Sequence, residues 1–136
     1  NHLSNVKLVR CAVSDVVGSA TLYFDPRGNE GAARVGRVFD QQSSSIKVAT
    51  RTMTDIIDEF GLGHIDLIKV DVEGFEDRVL ASYLRGGWGR NVDRIYVEVA
   101  HHELWVTDLF ELLHSSGFKQ EATFGENILF KRNLVG

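Results

Sequence analysis

One stretch limits what this chain can fold into more than any other. Residues 65–72, Ile65-Asp66-Leu67-Ile68-Lys69-Val70-Asp71-Val72, are rich in β-branched side chains and run into Glu73-Gly74. A run of this kind is a strand, and one so apolar belongs inside a sheet covered on both faces. Alternation puts Leu67, Lys69 and Asp71 on one face and Ile68, Val70 and Val72 on the other. Lys69 and Asp71 are then the exceptions. Burying either charge alone is costly, so the two are expected to pair at the lip where the strand ends. After Gly74 the apolar period becomes helical, with Phe75, Val79, Leu80, Tyr83 and Leu84 on one face.

The same alternation of strand and helix continues on either side. Residues 7–13, 20–24 and 46–51 read as strands, whereas 25–31 breaks regularity and little periodicity returns before Ser45. Thr52 is a helix N-cap with Asp55 three residues on, and Gly61 is a stop. Residues 94–99 form another strand, and Asp108 caps a helix with Glu111 at the capping-box position and Gly117 as its end. Residues 118–124 and 127–131, joined through Gly125-Glu126, make a terminal hairpin. The expected fold is α/β, a mostly parallel sheet with one antiparallel edge, formed as a single domain over residues 1–136. That pattern matches the second half of a Rossmann-like domain.

Composition removes several function classes. A net charge of -4 leaves no basic field for a phosphate backbone, so nucleic acid is not expected as a partner. No apolar run is long enough to span a bilayer, and no secretory leader opens the chain, so a cytoplasmic setting is expected. Cys11 is the only cysteine, which rules out an internal disulfide or a cysteine-based zinc site. The glycines at 28, 31 and 36 do not sit between a strand and a helix, and no serine occupies a nucleophile elbow.

In such sheets ligands bind beyond the carboxyl ends of the strands. The chemistry is therefore expected at Ser14-Asp15, at 71–73 and at 98–102. Asp71 stands at a strand end, and Glu98 with His101 at the next could take a proton from a hydroxyl. The same three residues could hold a divalent cation. Glu76 and Asp77, by contrast, are expected only to complement the positive end of the helix that they begin. His102 and Glu103 are expected to face water, and Trp88, Trp105 and Phe110 to pack loops.

Taken together, Thr52-Met53-Thr54-Asp55-Ile56-Ile57 and the stretch from Ile65 to Glu76 closely resemble the signature of FkbM-type methyltransferases. Residues 5–15 with Gly18 and Thr21-Leu22 resemble that family's third strand and hairpin, 96–99 its fifth strand, and 127–130 its last. The resemblance implies a class I Rossmann-like methyltransferase that uses S-adenosyl-L-methionine (AdoMet), commonly to methylate a hydroxyl of a sugar or natural product. It implies Ser14 and Asp15 near the adenine end of the cofactor, Asp71 near its methionine end, and Lys69 also among the cofactor-binding residues. Glu98 and His101 would line the acceptor side, with His101 or Asp71 as base and the loop between Asp25 and Ser44 as a cover.

The family's glycine-rich turn and its ribose-binding acidic residue would both precede Asn1. The chain is thus expected to be the C-terminal portion of the domain, with the first two strands absent and the Ile65 strand left as an open edge. Weak or no AdoMet binding follows for this portion alone. Its expected partners are a small-molecule methyl acceptor and the missing N-terminal part, with a homo-oligomer also open. Two alternatives remain: a catalytically silent interaction module of this fold, and a metal-dependent enzyme using Asp71, Glu98 and His101.

Overall fold

The computed structural model describes residues 3–27 and 33–133. Part of the irregular 25–31 stretch therefore lies outside the described residues. Among the described residues eight strands and three α-helices follow in the order β1 (Ala12–Val13), β2 (Gly18–Phe24), β3 (Ala33–Val35), β4 (Ser45–Arg51), α1 (Met53–Glu59), β5 (Ile65–Val70), α2 (Glu76–Arg85), β6 (Val92–Glu98), α3 (Leu109–Ser115), β7 (Phe118–Phe124) and β8 (Asn127–Arg132). Short 3-10 turns cover Trp88–Asn91 and His102–Leu104.

The strands form two four-stranded sheets, ordered β1-β4-β2-β3 and β5-β6-β8-β7. This corrects the expectation of one mostly parallel sheet. Among the described residues only β1 with β4 and β5 with β6 run parallel, while the β2, β3, β7 and β8 pairings are antiparallel. The reason lies in the connections. A parallel pair needs a long crossover, supplied here by β5-α2-β6 and by the excursion of β2 and β3 between β1 and β4. Of the remaining pairs, β2–β3 and β7–β8 join strands that follow one another in the chain.

Local chemistry explains most element boundaries. Thr52 accepts from the Asp55 amide while the Asp55 side chain accepts from Thr52, so a complete capping box opens α1. Asp108 accepts from the Glu111 amide and opens α3. The expected strand over residues 7–13 shrinks to Ala12–Val13, because β4 offers it only two register positions, at Thr50 and Arg51.

Helices α2 and α3 lie on one face of the second sheet. Leu80, Tyr83, Leu109 and Leu113 pack with Ile95, Val97, Phe118 and Phe130 in one core cluster. Burying such side chains contributes roughly 1.5–3 kcal/mol each, which makes this layer the main source of stability. The opposite face is open. Leu67 is 53% exposed and Lys69 is also exposed, so β5 is not covered on both sides as its sequence led us to expect.

Among the described residues β1 pairs only with β4, and β5 only with β6. Each sheet thus has one free edge beside the space between the sheets. A cleft of about 650 Å³ there is lined by residues 10–13 and 71–73. A second groove, of about 310 Å³, lies between α1 and β5, with Val13, Ile56, Ile68 and Val70 in its wall. Among the described residues no helix is long and apolar enough to cross a membrane.

Candidate functional site at the carboxyl ends of β5 and β6

Parallel pairing of β5 and β6 aligns Lys69 with Tyr96 and Val70 with Val97, so both strands finish at one rim. Asp71, Glu73 and Glu98 gather there, each offering a carboxylate oxygen within 4.8 Å of the others. The Lys69 ammonium donates to Asp71 at 2.7 Å. That hydrogen bond is the main reason why the Asp71 carboxyl is held below its ordinary value and the Lys69 ammonium above. The pairing inferred from the sequence is present, on exposed side chains.

Glu98 behaves in the opposite sense. Burial, then the charge of Asp71 and a hydrogen bond with it, push its carboxyl up to about 7, with Glu73 and Glu76 adding to the effect. Two carboxyls so close do not both ionise readily, so one keeps its proton. Lys69 fixes which of them ionises first.

The turn between β5 and α2 is shaped to bring the two strand ends together. Glu73 takes a left-handed conformation (φ 53°) and Gly74 follows at φ 93°. A Cβ on Gly74 would lie 2.7 Å from Leu104 Cδ1 and 3.2 Å from His101 Cβ, so only glycine lets the turn approach this closely. Glu73 Oε2 then stands 3.3 Å from His101 Nε2. A residue with a Cβ at positive φ stores strain, and such strain gathers at functional sites.

Glu76 and Asp77 do more than complement a helix end. Both are 1% exposed. Glu76 accepts from the amides of Val72 and Gly74 and from Trp105 Nε1, and Asp77 accepts from the amides of Val106 and Thr107. These buried anions are satisfied by backbone and indole N–H groups, and they fix the loops that carry the rim. Acidic residues opening an apolar helix gave no sign of this in the sequence, because their partners stand up to thirty residues away.

The first sheet also reaches the rim. Arg34 of β3 places Nη2 3.2 Å from His101 Nε2 and stacks 4.5 Å over the Phe39 ring. Arg37 donates to the Leu104 carbonyl at 3.3 Å. Neither arginine stood out in the sequence, because a three-residue strand leaves no detectable period and Arg37 lies in the irregular segment beyond it. His102 is exposed, with its Nδ1 2.8 Å from the Val99 carbonyl oxygen.

Ser14 and Asp15, at the end of β1, bond to one another at 3.0 Å, Ser14 being buried. They line a cavity of about 270 Å³ with Gly74, Phe75 and Arg78, so this expected strand-end position borders the space between the sheets. A second cluster, His64 with Asp66 and Asp93, is exposed at the amino ends of β5 and β6, away from the rim.

An α/β chain whose polar groups converge where its parallel strands end has the architecture of an α/β ligand-binding domain, and the comparisons narrow that class. The family model described as "Methyltransferase FkbM domain" matches residues 2–120. The chain belongs to the FkbM methyltransferase family. Searches among curated proteins and among solved structures each returned no match.

Proposed function

We propose that this chain supplies the acceptor side of an AdoMet-dependent O-methyltransferase acting on a hydroxyl of a small molecule, in a cytoplasmic setting. The observation that carries this reading is the Glu98 carboxyl, pushed up to about 7 beside an ionised Asp71 at the rim. A general base works best with a pKa near the operating pH, and Glu98 meets that condition. Asp71, held ionised by Lys69, is a weaker base and a better electrostatic partner for a cation. Glu98 therefore replaces His101 and Asp71 as the favoured base.

The cofactor supplies a methyl group already made electrophilic by its sulfonium. A rim carrying Asp71, Glu73 and Glu98 suits that positive centre, and the adjoining cleft of about 650 Å³ has room for a ligand. With the cofactor bound, Glu98 would take the proton from the acceptor hydroxyl as its oxygen receives the methyl group. The protein's part is to hold oxygen and methyl in line and to receive the proton. The same carboxylates are a candidate site for a divalent cation.

Neither free strand edge can stay bare without an aggregation hazard. We therefore assign the space between β1 and β5 to the N-terminal part of the same domain, and AdoMet binding to the two together. Ser14 and Asp15 are proposed to contact its adenine end.

The test is methyl transfer from radiolabelled AdoMet to a panel of hydroxylated small molecules, using the parent protein and its Glu98→Gln variant. The expected result is transfer by the parent and a loss of roughly 10²-fold or more in the variant. Full activity of the variant would remove Glu98 from the reaction. No transfer to any acceptor, with no AdoMet bound, would favour a silent interaction module.

A further inference from the structure

His101 Nε2 has two polar neighbours that make opposite demands. Arg34 Nη2 lies 3.2 Å away, and Glu73 Oε2 lies 3.3 Å away. A guanidinium only donates and an ionised carboxylate only accepts. Arg34 therefore needs Nε2 bare, and Glu73 needs a proton on it. A neutral ring can satisfy one of them.

The other ring nitrogen favours Arg34. Nδ1 lies 3.6 Å from Glu103 Oε1, an acceptor, so a proton on Nδ1 is the one that suits Glu103. The Glu103 carboxyl is held below its ordinary value, by its own backbone amide first and also by a hydrogen bond from His101. Arg34 in turn has little else to bond. Among the described residues its only side-chain hydrogen bond is to His101, and its buried Nε has no partner. A fully protonated ring has no lone pair to offer a guanidinium, so the Arg34 contact is a hydrogen bond only to the neutral ring.

We infer that Arg34 is a positioning residue, which fixes His101 as the Nδ1–H tautomer and so ties β3 to the end of β6. The inference rests on the reading of this rim as the acceptor side and deepens it. With Nε2 held by Arg34 and Nδ1 facing Glu103, His101 is a tie between the two sheets and not the base. Arg37, on the Leu104 carbonyl, holds the same loop a turn further on.

Long-range proton–nitrogen correlation spectra of this chain, at a pH where the ring is neutral, read the tautomer directly. His101 is assigned by the loss of its signals in H101Q. The expected wild-type spectrum has a protonated Nδ1 and a bare Nε2. Arg34→Met removes the donor and should move the proton to Nε2, facing Glu73, while Arg34→Lys should keep it on Nδ1. A wild-type ring protonated on Nε2, or an unchanged tautomer in R34M, would overturn the inference. Should R34M not fold, the wild-type spectrum decides alone. Neither cofactor nor acceptor is present, so failure of the methyltransferase reading cannot imitate either result.

Discussion

Trp105 donates its indole N–H to Glu76 Oε2 at 2.9 Å, joining the first turn of α2 to the segment that follows β6. The other oxygen of that carboxylate takes the amides of Val72 and Gly74, at 3.0 and 3.1 Å. One buried side chain thus sets the distance between the two strand ends on which the rim stands. Stability and geometry of the site are coupled through it.

Glu76→Ala should consequently destabilise the fold by about 2–4 kcal/mol, because it leaves three N–H donors short of their charged acceptor. Urea unfolding of both proteins measures this as a lower midpoint at unchanged slope. A shift under about 0.5 kcal/mol, the range of an ordinary surface substitution, would mean that the carboxylate does not hold the loops.

Gly74→Ala combines two costs. The residue sits at φ 93°, and its new methyl would meet Leu104 Cδ1 at 2.7 Å. A loss of about 1–3 kcal/mol is expected from the overpacking alone. In a double-mutant cycle with Leu104→Ala the steric part should be recovered and the backbone part should persist. Full additivity of the two losses would show that the side chains do not meet.

Glu98 should make stability depend on pH. Its folded value, about 7, lies above the ordinary 4.5, so between those values the native state binds more protons than the unfolded one. Stability due to this group is complete below about 4.5 and is lost as pH rises through about 7. Glu98→Gln should therefore match the wild type near pH 4 and exceed it at pH 8. After allowance for solvent screening of a partly exposed group, the gain is on the order of 1–2 kcal/mol. Thermal unfolding at the two pH values measures it, and an equal difference at both would contradict the shift.

The sequence revealed those parts of the molecule that local chemistry determines. Thr52 and Asp108 declared their helices because a cap needs only a partner three residues on. The Lys69–Asp71 pair was legible because two charges in an apolar strand require each other. What stayed hidden depends on distant partners. Glu76 and Asp77 look like any acidic helix start until Trp105, Val106 and Thr107 arrive to be bound. Arg34 reaches His101 across 67 positions, from a strand three residues long. The sheets are less parallel than the strand runs suggest for a related reason: such runs alone do not say which neighbour a returning strand will choose. Of the expected site residues, the rim gathers Asp71 and Glu98 with Glu73 and holds His101 beside them, while Ser14 and Asp15 border the space between the sheets.

We propose the rim as one half of a cofactor site, completed by a segment seated between β1 and β5. Calorimetric titration of AdoMet tests it, run on this chain and on a version extended N-terminally from its parent. Stoichiometric binding is expected of the extended protein, and weak or no binding of this chain alone. Tight stoichiometric binding by this chain, or none by the extended one, would contradict it.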